Sequence, residues 1–163
     1  RKQRLLRKFV DRVSGRSDSG IAIGGEAGDV YHLARCCAPI RGEPIIGYMT
    51  SGRGITIHST RCALVSKEIL SSERMVDVSW DSSSAGSYRS RITILASDSP
   101  GLLGKVATGI GELGGNITKA EVVTTADKRA QIRLSLIIKE MKHLEAIIKK
   151  IAGIKEIISV ERV

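Results

Sequence analysis

Three cysteines and one histidine carry the chemistry most worth testing in this sequence. They are Cys36 and its neighbour Cys37, then His58 and Cys62. Three thiols and an imidazole are the Cys₃His donor set of a structural zinc site. His58 and Cys62 are four residues apart, a spacing that places both on one face of a helix. The opposing reading treats the cysteines as small buried hydrophobes and His58 as a satisfied polar group. Adjacent residues on a strand point to opposite faces, which counts against Cys36 and Cys37 reaching one ion. An odd cysteine count with two adjacent thiols is also a poor disulfide framework. His32 and His143 lack comparable partners nearby in sequence, so surface or packing roles are expected for them.

A second constellation is Asp98-Ser-Pro-Gly-Leu-Leu103, with Asn116-Ile117 further on. Gly101 permits close approach of a ligand to the backbone, and a following helix would offer free N–H groups to a carboxylate. Asp98 and Asn116 could hold an ammonium or amide group. The plainer reading makes Asp98 a helix cap and Pro100-Gly101 the turn that the topology needs. No P-loop, HExxH, carboxylate cluster or nucleophile with a nearby histidine is present, so the chain reads as non-catalytic.

Elements must position these residues. Residues 4–10 place Leu5 and Phe9 near one helical face and read as the end of a basic helical tail over 1–18, with Ser14 to Gly20 a linker. From 19 to 80 short β-like runs broken by Gly and Pro predict a small α/β module. Strands are expected at Ile21–Ile23, Val30–Ala34, Ile45–Thr50, Gly54–His58 and Val76–Trp80, with a hairpin turn at Ser51-Gly52-Arg53. Ser59 is expected to cap a helix running through Cys62 to about Ile69. Such a module is too small to draw much stability from its core alone.

Residues 81–89 form a polar linker, and the signals sharpen after it. The order over 90–163 is strand (Arg91–Ser97), helix (stripe Leu102, Leu103, Val106, Ile110, Leu113), strand (Ile117–Thr124), strand (Arg129–Ile138), helix (stripe Met141, Leu144, Ile147, Ile148, Ile151) and strand (Ile154–Val160). Pro100 suits the first turn of the first helix. This βαββαβ repeat predicts a ferredoxin-like antiparallel sheet with both helices on one face. The fold class is therefore α+β.

The 163 residues are 42% hydrophobic, 26% charged and only 3% aromatic, so cores must be built from Ile, Leu, Val and Ala. No run approaches the ~20 apolar residues of a membrane span, no signal peptide opens the chain, and the cytoplasm is the default compartment. Residue 1 is Arg, which suggests a segment of something longer. Of the formal +9, residues 1–18 hold +5, from seven Lys and Arg against two Asp. Such a segment can neutralise phosphates, so nucleic acid is one reading of it and a solvated helix the other.

The stretch Leu33-Ala-Arg-Cys-Cys-Ala-Pro39, followed by Gly42-Glu43, Ile46-Gly-Tyr48, Thr50, Gly52-Arg-Gly54 and His58…Cys62, resembles the RIS or zinc-finger module of long Rel/Spo-type (p)ppGpp synthetase/hydrolases. Residues 90–163 resemble an ACT domain. The resemblance implies N-terminal hydrolase and pyrophosphokinase domains in the parent protein, and a C-terminal half that binds ribosome and uncharged tRNA and relays starvation to them. It implies zinc ligands at Cys36, Cys37, His58 and Cys62, and ribosomal RNA contacts at Arg35, Arg41, Arg53 and Arg61. ACT domains commonly pair side by side and bind amino acids. Carried over, Asp98, Gly101, Leu102, Asn116 and Ile117 would line a site for a branched-chain amino acid. At the Asp98 position the family often has Asn, which leaves the ligand open. Two rival classes are an amino-acid-sensing ACT module of a metabolic enzyme and a free-standing zinc-dependent RNA-binding protein.

Overall fold

The computed structural model describes residues 20–23, 31–65, 72–81 and 86–163, which divide into two compact units. The first includes residues up to Pro39 and Glu43–Gly86; the second comprises Ile40–Gly42 and Ser87–Val163. The basic tail and nearly all of the linker expected over 14–20 lie outside the described residues, as do 66–71 and 82–85.

The first unit is built from strands β1 (Ile21–Ile23), β2 (Tyr31–Leu33), β3 (Ile45–Thr50), β4 (Gly54–Ser59), β5 (Met75–Val76) and β6 (Val78–Trp80). One sheet has the order β2-β4-β3-β5, with β2 parallel to β4 and the other pairings antiparallel. The expected hairpin joins β3 to β4. Gly52 sits in its turn at φ +78°, where an L side chain is strained, and Thr50 Oγ1 donates to the Gly54 carbonyl at 2.8 Å. The expected single strand over 76–80 is instead two. Asp77 interrupts it, β5 pairs with β3, and β6 pairs with β1 in a separate two-stranded sheet. The Trp80 indole N–H donates to the Glu43 carbonyl at 2.8 Å. The strands approach closely at Gly47, where a Cβ would meet Ile55, the Val76 carbonyl and Val78 all at 3.0 Å. The buried apolar side chains of this sheet are few among the described residues: Ile46, Ile55 and Ile57, with Ala34 beside them.

The second unit runs β7 (Tyr88–Ser97), α1 (Leu102–Glu112), β8 (Asn116–Thr124), β9 (Arg129–Ile138), α2 (Met141–Ala152) and β10 (Ile157–Arg162). Its sheet order, β10-β7-β9-β8, is antiparallel throughout, as the βαββαβ pattern requires. Alternate residues of β7 and β9 (Ile92, Ile94, Ala96; Ile132, Leu134, Leu136) are buried with Leu102, Val106 and Ile110 of α1 and Leu144, Ile147 and Ile151 of α2. Both helices therefore cover one face. Gly115 lets the chain pass under them, since a Cβ there would come within 2.8 Å of Ile110 and Ile147 side chains.

Three details differ from the sequence reading. Pro100 lies in the turn before α1 rather than in it, and Gly101 occupies the N-cap at φ +79°. Leu103, counted in the apolar stripe, is 41% exposed, because its position rotates away from the sheet. His143 is a connector: its Nδ1 accepts the Lys139 N–H at 3.0 Å and its Nε2 lies 2.7 Å from the Leu113 carbonyl. That pattern assigns the neutral tautomer with the proton on Nε2, and it ties the end of α1 to the start of α2.

Candidate metal centre

Cys36 and Cys37 do not lie on a strand. Residues 35–37 form a turn after β2, closed by the Ala38 N–H on the Ala34 carbonyl at 2.9 Å, with Ala38 itself at φ +41°. The objection that adjacent residues point apart holds for a pleated strand and lapses in a turn. The other half of the cluster also differs from expectation. His58 is on β4, and Cys62 follows in a tight turn where its N–H bonds the Ser59 carbonyl at 3.0 Å. It is this turn, not a helix beginning at Ser59, that folds position 62 back onto 58.

The result is a compact donor set, with one ligand atom from each of Cys36, Cys37, His58 and Cys62, all within 4.8 Å of one another. Cys36 Sγ lies 3.6 Å from Cys62 Sγ and 3.5 Å from His58 Nδ1, and Cys37 Sγ lies 3.8 Å from that same nitrogen. A tetrahedral zinc with ordinary bond lengths would have S···S edges of about 3.8 Å and S···N edges of about 3.6 Å. The residues present therefore fit the ion in number, chemistry and spacing. The soft thiolates and imidazole favour zinc over hard cations such as Mg²⁺ or Ca²⁺.

The thiols are not equivalent. Burial pushes Cys37 up to about 12, only partly opposed by the Ser59 N–H on its sulfur at 3.4 Å. Burial, with Cys62 alongside, also raises Cys36. At Cys62 burial acts in the same direction, but the N–H of Leu64, the two neighbouring thiols and the N–H of Val65 outweigh it and bring the thiol below its ordinary value. Burial lowers His58, and nearby His32 lowers it further. His32, exposed as expected of a surface residue, has its Nε2 3.0 Å from Thr56 Oγ1, one strand from the cluster. Only the parallel pairing of β2 with β4 brings it there, and no sequence spacing signals that pairing.

Of the four arginines, Arg35 and Arg61 are exposed and flank the cluster through Cys36 and Cys62. Arg53 is exposed at the tip of the β3–β4 turn, at the opposite end of β4 from His58. Arg41 is half-buried and belongs to the segment grouped with the second unit.

In the second unit, Asp98 is exposed at the end of β7, its N–H bonded to the Lys128 carbonyl at 2.8 Å. It does not cap α1, whose N-cap is Gly101 and which has no side-chain cap. Leu102 is buried, Ile117 half-buried, and Gly101 and Asn116 exposed. No hydrogen bond among the described residues joins Asp98 to Asn116.

Residues 21–81 match the RelA/SpoT RIS domain family, and residues 84–162 match an ACT domain family. The chain is 37% identical over 160 residues to a GTP pyrophosphokinase of Myxococcus xanthus, covering 95% of this chain and 20% of that protein. It is 29% identical over 152 residues to the bifunctional (p)ppGpp synthase/hydrolase RelA of Mycobacterium tuberculosis, covering 93% and 21%. It thus spans about a fifth of the length of these relatives. Among solved structures, the ACT domain from GTP pyrophosphokinase of Chlorobium tepidum aligns with 47% of this chain and 99% of its own, at 19% identity and a TM-score of 0.43. With both families matched in tandem and curated relatives aligning along nearly the whole chain, the protein belongs to the RelA/SpoT family as its RIS–ACT regulatory region.

Proposed function

We propose that this region is the C-terminal sensor of a cytoplasmic (p)ppGpp synthetase/hydrolase. In this reading it binds ribosomal RNA and uncharged tRNA and relays amino-acid starvation to N-terminal catalytic domains. The observation that carries the reading is the RIS domain match combined with a Cys₃His cluster flanked by exposed Arg35 and Arg61. A metabolite-only sensor, the rival reading built on an ACT module, has no use for that cluster or its arginines.

Cys36, Cys37, His58 and Cys62 hold the ion in this scheme. Zinc, when bound, supplies a four-point cross-link between the β2 turn and the end of β4. The protein's own contribution is to present Arg35 and Arg61 on that fixed scaffold, with Arg53 on the hairpin tip and Arg41 further along the chain, as phosphate contacts. Each such contact releases a counterion, so binding weakens steeply with salt. Arg53→Glu is expected to lower ribosome co-sedimentation by roughly tenfold at moderate salt and to flatten the salt dependence. Unchanged co-sedimentation would remove Arg53 from the interface.

The ACT domain, in the same reading, pairs with a second copy and takes a branched-chain amino acid between Asp98, Gly101, Leu102, Asn116 and Ile117. Valine is then expected to raise the melting temperature in a saturable way. A flat response across all amino acids would leave the domain purely structural.

A further inference from the structure

The solvent face of the ACT sheet carries a concentration of chemistry unconnected with the cysteine cluster. Side chains alternate along a strand, so register decides which of them meet on the face opposite the helices. Arg91 on β7 stands across from Ser135 on β9, and Ser135 from Lys119 on β8. One row along, Thr93 stands across from Arg133, and Arg133 from Glu121. A cavity of about 220 Å³ opens over these rows, its polar side chains Arg91, Thr93, Lys119, Glu121, Arg133 and Ser135, with the C-terminal residue Val163 also in the lining.

Three cationic side chains against one side-chain carboxylate give these side chains a net charge of +2. Lys119 already pairs with Glu121 at 2.8 Å, and Arg133 Nη2 donates to Gln131 Oε1 at 3.2 Å. Arg91 makes no ion pair with any described residue; Glu161 on β10 stands across from Thr93, and the Val163 N–H bonds the Arg91 carbonyl at 3.0 Å. Arg91 and Arg133 are diagonal neighbours on adjacent strands, and of the two only Arg133 has a side-chain carboxylate, Glu121, directly across from it. Their guanidinium forks match oxygen pairs on a planar or tetrahedral anion, and the Thr93 and Ser135 hydroxyls add donors.

We propose that this depression is a binding site for a small multivalent phosphate anion, of the diphosphate or phosphate-ester class. The cavity is smaller than the pockets of about 300–1,000 Å³ that enclose drug-sized ligands, so it would hold the charged group and leave any attached moiety in solvent. The cations span two strand intervals, roughly 10 Å, which suits linked phosphates better than one isolated anion. A ligand with two negative charges would balance the lining.

The test uses the whole chain, with inorganic pyrophosphate as probe and NMR signals of the Arg91 and Arg133 side chains and the β7–β9 amides as readout. Saturable shifts confined to this face are expected. Arg91→Gln together with Arg133→Gln should weaken binding by at least about tenfold. Glu121→Gln, which removes the only side-chain carboxylate of the lining, should tighten it; a merely structural role for these residues gives no reason for such a gain. All three side chains are exposed, so the variants are expected to keep the fold, checked by circular dichroism. Linear shifts that follow ionic strength, affinity unchanged in the double variant, or shifts at the cysteine cluster alone would overturn the proposal. A short RNA that displaces pyrophosphate and binds far more tightly would overturn the small-molecule assignment.

Discussion

The RIS and ACT domains have similar shares of the chain and opposite solutions to the problem of staying folded. The ACT domain buries alternate residues of two central strands under two helical stripes, giving a continuous core that runs from Ile92 to Ile151. Burying a side chain of this size stabilises by roughly 1.5–3 kcal/mol, and many such residues act together here. The RIS sheet has Ile46, Ile55 and Ile57 as its buried large apolar side chains among the described residues, divided between two short strands. What it has instead is a cluster of four metal-type donors at one end of β4. A domain with few core residues can gain stability from a cross-link that a neighbour with a larger core does not need.

The largest test of that contrast is removal of the proposed metal. Apparent zinc affinities of structural sites correspond to about 10–16 kcal/mol, more than the whole stability of a small domain. Chelation, or Cys62→Ser, is therefore expected to abolish the RIS melting transition and leave the ACT transition in place. Hydrogen exchange resolved by residue would follow the two domains separately: β3 and β4 should lose protection while β7 and β9 keep theirs. If purified protein carries no zinc and β3–β4 protection is the same with and without chelator, the core of the RIS sheet is sufficient and the comparison fails.

The reciprocal experiment perturbs the ACT core. Leu134 is 1% exposed at the centre of β9, and Leu134→Ala should cost roughly 2–5 kcal/mol of ACT stability through lost burial and the cavity left behind. Zinc content and β3–β4 protection should not change. A matching loss in the RIS domain would mean that the two fold as one cooperative unit, and the contrast between them would have to be redrawn.

The same contrast explains what could be read in advance. The ACT elements were legible because each has enough residues to display its period: β9 falls at Arg129–Ile138 as read, and α2 starts and stops with its apolar stripe. In the RIS domain the structure depends on contacts that local sequence does not encode. The ligand set could be named from residue types, but the turn that aims Cys36 and Cys37 together, and the tight turn that returns Cys62 to His58, are not periodic features. The split of residues 75–80 between two sheets has the same cause, since a pairing partner rather than propensity decides where so short a strand goes. Likewise, Arg91, Lys119 and Arg133 are far apart in sequence, and only the register of three strands assembles them.

The smallest expected effect concerns the ACT surface. Lys105 Nζ lies 2.5 Å from Glu156 Oε1, and this hydrogen bond holds the Glu156 carboxyl below its ordinary range. A carboxylate lowered in the folded state contributes stability that is present above its unfolded value, ~4.3, and is lost as pH falls through the lower folded value. Wild-type protein should therefore lose slightly more ACT stability than Lys105→Met between about pH 5 and pH 3. Lys105 is half exposed, so solvent and salt screen the pair, and the two proteins should melt almost together at pH 7 in high salt. A large difference there would show that charge, and not burial alone, stabilises this domain. The division between a core-held ACT domain and a RIS domain with the proposed metal cross-link would then be one of degree, because both would depend on polar cross-links at their surfaces.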